Sequence, residues 1–356
     1  MTSPTFAREP DFTQFLKVLR RQPPERPTLF EFYLNAPLYE RLAGRPAPVR
    51  GSAGERDDLL AGYRALGRWY ADAAGAAGYD YVNFGPGEAF PGFHFREGAH
   101  EKASSHSLNE AALITSRADL ESFAWPDPAM IDLGIIDALT ADLPEGMEAM
   151  VYTPNGVLEN LVDLVGYDNL CFMLVDDREL VSEIVAEIGE SLLGLYRAVA
   201  DHPRLGAMIA NDDWGFKTQT LISPADMRAF VYPTHREIVR IAHGAGKPIL
   251  LHSCGELREV MDDVIDDIGY DAKHSFEDVI LPVEDVYERW GGRIAILGGI
   301  DVGFLCEASG EEITARSRAM IERSSGRGGY ALGSGNSIPE YVPQEAYFAM
   351  TRAVLG

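Results

Sequence analysis

The sequence predicts an α/β protein, a (β/α)8 TIM barrel in a single domain with one long βα-loop excursion. Three observations carry that expectation. Short, near-continuous apolar segments recur along the chain, long amphipathic segments separate them, and polar residues gather where the apolar segments end. At 356 residues the chain can bury a large core, and barrels of this class commonly run beyond about 250 residues as one unit.

Candidate strands are Thr28–Phe32, Tyr81–Phe84, Ala149–Tyr152, Ala207–Asn211, Pro248–His252, Asp271–His274, Ile294–Gly298 and Tyr330–Leu332. They alternate poorly between apolar and polar residues, as strands covered on both faces should. Residues 1–27, with the Pro-rich run Arg21–Pro27, read as a lead-in segment, and residues 28–356 as the barrel. Ser223-Pro224-Ala225-Asp226 is a helix start, with an N-cap serine, a proline at the first helical position and an early acid. Ile238, Val239, Ile241 and Ala242 then recur at helical spacing until Gly244 and Gly246 end the helix. Strand, helix, strand, helix implies a parallel sheet. The stretch from Gly85 to Pro128 reads as a loop excursion over the active end, its His94, His100 and His106 either lining a pocket or solvated.

The formal charge of −24 repels phosphate backbones and argues against a nucleic-acid partner. It also disfavours anionic ligands unless a local cationic pocket opposes it. No apolar run reaches the ~20 residues that span a bilayer, and the first ten residues do not resemble a secretory signal, so a cytoplasmic location is expected. Three cysteines make no disulfide framework. Cys171, in Leu170-Cys171-Phe172-Met173-Leu174, and Cys306 are expected to be packed away.

In such a barrel the chemistry sits at the carboxyl ends of strands. One predicted strand ends in Asn211-Asp212-Asp213-Trp214. The two acids there could bind a metal, take a proton or hold a cationic group; alternatively, one caps a helix and the other forms a salt bridge. Another ends in His252-Ser253-Cys254-Gly255. Residues two apart on an extended segment point the same way, and imidazole nitrogen and thiolate both bind zinc, at about 2.0–2.1 and 2.3 Å. The bland reading is a buried cysteine beside a hydrogen-bonded histidine. The next strand ends in Lys273-His274-Ser275-Phe276-Glu277-Asp278, where Glu277 or Asp278 could complete a metal shell or act as acid or base, and Lys273 could bind substrate or form a barrel salt bridge. Asp301 follows Gly298-Gly299-Ile300, and Ser334 and Asn336 lie in Gly333-Ser334-Gly335-Asn336, where glycines permit close backbone approach and amides could face an anion.

The runs Ser223-Pro224 through Arg236, Gly246-Lys247-Pro248 through Gly255, Gly298 through Asp301 and Gly333 through Pro339 resemble the uroporphyrinogen decarboxylase superfamily. That superfamily includes the decarboxylases of haem synthesis and zinc-dependent methyltransferases acting between corrinoid proteins and thiols. The resemblance covers most of the chain and implies the same (β/α)8 barrel. The true decarboxylases carry an arginine-rich stretch after the first strand, but here Phe30-Glu31-Phe32-Tyr33-Leu34-Asn35 has no arginine. A many-carboxylate substrate beside Glu31, in a protein of charge −24, is electrostatically disfavoured. The methyltransferase branch fits better, since His252-x-Cys254 looks like its first two zinc ligands. Its third ligand is a cysteine in a Gly-Cys-Gly context, where this chain has Ser334, and a serine hydroxyl is a poor zinc ligand. Glu277, Asp278 and Asp212 are the candidates to replace it.

Three functions follow. The first is a methyltransferase with Zn2+ on His252, Cys254 and Asp278, and with Asp212, His274 and Glu277 as catalytic residues. Asp213, Trp214, Lys273, Asp301, Ser334 and Asn336 would then contact a small-molecule substrate. The chain shows no cobalamin-binding domain, so a separate corrinoid protein would act in trans, and the family analogy implies a homodimer. The second is a metal-free lyase using His274 and Asp212, with Lys273 on a substrate carboxylate. The third is a non-catalytic binding barrel.

Overall fold

The computed structural model describes residues 8–48, 56–96 and 112–355. His100 and His106 lie outside the described residues. Among the described residues the core is one parallel sheet of seven strands: β1 (Tyr81–Phe84), β2 (Glu148–Tyr152), β3 (Leu205–Asn211), β4 (Ile249–His252), β5 (Ala272–His274), β6 (Ala295–Leu297) and β7 (Tyr330–Ala331). Spatial order follows chain order, and each strand pairs in parallel with the next. Every residue of β4 to β7 is buried, which explains their continuous apolar character. Their register sets Asn211, His252 and His274 side by side in one row at the carboxyl ends.

Helices fill the crossovers. The longest of these, Arg178–Val199, buries Leu180, Ile184, Ile188, Leu192 and Leu195 along one stripe. Ser223 caps its helix as expected, accepting from the Asp226 N–H, and a π-helical segment, Met227–Val231, runs into Tyr232–Gly244. In the lead-in segment, Phe12–Leu19 is a helix whose Phe12, Phe15, Val18 and Leu19 are buried; the Phe15 ring stacks on Phe30 at 6.0 Å. No described helix is long and apolar enough to cross a membrane.

Two expectations are corrected. The segment expected as a first strand, Thr28–Phe32, makes no ladder with β1. It touches the β7 side through single parallel bridges, Leu29 to Leu332 and Leu34 to Ile338. Toward β1 its backbone meets side chains instead: Asn83 Nδ2 donates to the Glu31 and Phe32 carbonyls at 3.0 and 2.9 Å, and the Glu31 N–H donates to the Tyr81 hydroxyl at 2.8 Å. These side chains use the groups a ladder would need. Second, Cys171 and Cys306 are exposed rather than packed away. Helix Tyr167–Asp176 turns Leu170, Met173 and Leu174 inward, a 3.6-residue stripe that leaves Cys171, Phe172 and Val175 outside.

The close approach of residues 28–34 to the end of β7 depends on Gly333, where any Cβ would collide with the Phe30 carbonyl oxygen. Gly333→Ala is expected to cost about 2–3 kcal/mol in chemical denaturation, the size of other overpacking changes, whereas Gly75→Ala, where a Cβ meets open space, should not destabilise.

Candidate active site

Asp212 and Asp213 leave β3 together and then part, as successive residues of an extended chain do. Asp212 is fully buried and turns to the start of helix Val157–Val165, where it accepts from the Val157, Leu158 and Glu159 N–H groups at 3.0, 3.1 and 2.9 Å. Its Oδ2 also meets His235 Nε2 at 2.9 Å, and His235 Nδ1 meets the Tyr270 hydroxyl at 2.6 Å. With its oxygens engaged as a helix cap, Asp212 positions the strand end and is not placed to act on a substrate.

Asp213 turns the other way. Its Oδ1 accepts from the Cys254 N–H at 2.7 Å, and Asp213, His252 and Cys254 bring one carboxylate oxygen, one imidazole nitrogen and one sulfur within 4.8 Å of one another. Asp213, expected to touch substrate, lies with His252 and Cys254 where Asp278 was expected. Asp278 is instead gripped by Arg316 at 2.6 and 2.8 Å, because that guanidinium binds both carboxylate oxygens in a fork.

The protonation of the paired histidines follows from their partners. His274 Nε2 faces the Ser334 carbonyl at 3.4 Å, an acceptor, so it carries the proton. Its Nδ1 is then an acceptor and receives the His252 Nδ1–H at 2.8 Å. His252 Nε2 is left with its lone pair turned to Cys254 Sγ, 3.8 Å away, as an acceptor for the thiol. Burial holds both imidazoles neutral, pulling His252 down to about 4 and His274 well below its ordinary value. Phe32 stacks on His252 at 4.1 Å and Phe30 meets His274 edge-on at 4.8 Å, which locks both rings. Both His274 nitrogens are committed to the protein, so its role is to orient His252, not to exchange protons with substrate.

Cys254 Sγ receives the Ser275 hydroxyl and Asn336 Nδ2, each at 3.3 Å. Two donors aimed at one sulfur suit a thiolate. Burial, followed by the Asp213 charge, pushes the free thiol well above its ordinary range, so a cation is what would make the thiolate stable here. Ser275 holds a left-handed backbone, φ 82°, that directs its hydroxyl to the sulfur and its carbonyl to Lys273 Nζ.

The other expected residues fall elsewhere. Trp214 is fully buried against Tyr232 and His235 and contacts no open space. Asp301 caps helix Val302–Glu307 and accepts from the Asp278 N–H. Glu277 pairs with Lys217 at 3.7 Å beside a cleft that Lys273 also lines. The Ser334 amide and hydroxyl both donate to Glu31, at 2.6 and 2.7 Å, and the Gly335 amide donates to the Ile300 carbonyl, so these amides serve the protein rather than a bound anion.

Phe32, Glu159 and Ser275 enter the site without having been singled out for it, and Glu31, expected only as a charge unfavourable to a carboxylate substrate, joins them. Burial raises Glu31 from 4.5 to about 8, so at pH 7 its carboxyl is mostly protonated and does not repel a substrate carboxylate as expected from its charge. Glu159 lies beside Asp213, and burial together with Asp213 and Asp212 holds its carboxyl well above its ordinary range. No sequence signal marked Phe32, Glu159 or Ser275, since their roles arise from neighbours distant in the chain.

Two stability experiments test this geometry. Asp212→Ala strands three buried helix N–H groups and His235, and should cost about 3–5 kcal/mol in urea unfolding. The folded pKa of Glu31 lies above its unfolded value, so its contribution is whole below about pH 4.5 and lost as pH rises through 8. Wild type should therefore lose about 3–4 kcal/mol between pH 5 and 8 relative to Glu31→Gln, and parallel pH profiles for the two would refute a buried neutral carboxyl.

Comparison with known proteins agrees with the fold. The family model described as uroporphyrinogen decarboxylase (URO-D) matches residues 115–355. Among solved structures, a methyltransferase from Methanosarcina mazei aligns with a TM-score of 0.67 at 15% identity, covering 98% of each chain. At that identity the likeness speaks for the fold alone, and it extends over the residues before the family match. A GH5_18 structure from Streptomyces cattleya in complex with GlcNAc aligns more weakly, with a TM-score of 0.45 at 15% identity over 92% of this chain and 79% of that one. No curated protein matches the sequence.

Proposed function

This chain belongs to the uroporphyrinogen decarboxylase family, and on that premise we propose that it is a zinc-dependent methyltransferase moving a methyl group from a corrinoid protein or methylated small molecule to a thiol or similar acceptor. In this reading the seven strands and residues 28–34 occupy the eight positions of a (β/α)8 barrel. A separate corrinoid protein would dock over the carboxyl ends of the strands, and the chain would work as a homodimer.

The observation that carries the reading is the convergence of Asp213, His252 and Cys254. Carboxylate oxygen, neutral imidazole and thiolate form a donor set that suits zinc, and Asp213 supplies the anionic third group that Ser334 cannot. Zinc held there would act as a Lewis acid that lowers the pKa of an acceptor thiol. The protein's own residues do the rest. His274 keeps the His252 Nε2 lone pair turned to the site, while Ser275 and Asn336 hold the Cys254 sulfur by donating to it. Glu159 keeps a proton on its carboxyl next to Asp213. The metal-free lyase reading asked His274 for acid–base work, and both of its ring nitrogens are already engaged.

Protein purified without chelator should contain about one equivalent of zinc, falling below a few tenths in His252→Ala, Cys254→Ala and Asp213→Ala but not in Asp278→Ala. The same preparations should transfer methyl from methylcobalamin to a thiol in proportion to their zinc. Less than a few tenths of an equivalent in wild type, unchanged in His252→Ala, would overturn the metal reading.

A further inference from the structure

A solvent-open cleft lies beside the candidate metal ligands, with Gly255 and Ser275 in its lining. Its walls are largely apolar: Leu257, Met261, Phe276, Ile280, Leu281 and Trp290. Lys273 also lines it, yet Lys273 is only 2% exposed. An ammonium group has three N–H donors. Among the described residues, one acceptor serves this one, the Ser275 carbonyl, and the Phe276 ring lies 4.1 Å from Nζ.

A buried ammonium without a carboxylate partner is costly. Asp213, the carboxylate whose charge acts on it most, is turned to the Cys254 amide, and the two acids of the cleft are each turned to another cation. Glu256 Oε2 is held by the Arg258 side chain, with Nε at 2.7 Å, and Glu277 faces Lys217 at 3.7 Å. With a net charge of −24, the protein would repel an anionic ligand unless a fixed cation offset that field where the ligand binds. Lys273 is such a cation, set at apolar walls and beside the backbone that carries Cys254.

We propose that this cleft is a carboxylate subsite, in which Lys273 pairs with the carboxylate of an acceptor whose short apolar chain lies along Leu257, Met261 and Ile280. The inference deepens the methyltransferase reading by naming the acceptor class, an apolar carboxylic acid bearing the group to be methylated. It rests on that reading for the chemistry, though not for the binding.

Calorimetric titration of hexanoate and 1-hexanol into the full-length protein tests the subsite, with zinc loaded and again after chelation. Hexanoate should bind wild type at least tenfold more tightly than 1-hexanol in both forms. The preference should fall to twofold or less in Lys273→Met and persist in Lys273→Arg, and Ile280→Trp, which fills the cleft, should weaken both ligands. Equal affinities in wild type, a preference that survives in Lys273→Met, or binding unchanged in Ile280→Trp would each overturn the proposal. Should Lys273→Met fail to fold, the wild-type ratio and Ile280→Trp still decide. A preference kept after chelation in a protein that binds no zinc would leave the subsite standing and remove only the metal reading.

Discussion

The site depends on one buried carboxylate. Asp212 holds the first turn of helix Val157–Val165 and the imidazole of His235 at once, tying the end of β3 to a helix on either side of it in the chain. Three amides and the positive end of a helix make this a strong anchor. Because successive residues diverge, fixing Asp212 aims Asp213 at Cys254. The close fit is visible at Gly156, where any Cβ would strike the Asp212 side chain.

Around that anchor, the protein builds its site from groups that burial keeps neutral. His252, His274 and Glu31 are each driven by desolvation toward their uncharged forms. They form one path, from Glu31 through Ser334 to His274 and on to His252. A neutral interior of this kind lets a highly acidic protein gather Asp213, His252 and Cys254 without surrounding them with further negative charge. Lys273 is the exception, a buried cation on the neighbouring strand that bonds a backbone carbonyl, unlike the surface ion pairs that occupy most of the other basic residues.

Much of the sheet was legible in the sequence. Tyr81–Phe84 is observed as expected, and the other six strands differ from expectation by one or two residues at their ends. Short apolar runs with helical segments between them leave few alternatives once both faces must be covered. The exception is Thr28–Phe32. Its apolar character is right for a strand, but Asn83 and Tyr81, some fifty residues away, take up its backbone groups. Cys171 failed for a related reason, since an apolar run on a helix surface does not reveal which of its residues face inward.

From the sequence alone came the location of the candidate site, because strand ends read off from hydrophobic pattern are where a parallel sheet gathers polar residues, and His252-x-Cys254 carries its own geometry through a period of two. Only the tertiary structure decided which acid joins that pair. Asp212, Asp213, Glu277 and Asp278 are equivalent as letters. Their roles separate when a helix N-terminus captures Asp212, Arg316 captures Asp278, Lys217 draws Glu277, and Asp213 is left facing the thiol. Such partners lie tens of residues apart in the chain, and local patterning contains no record of them.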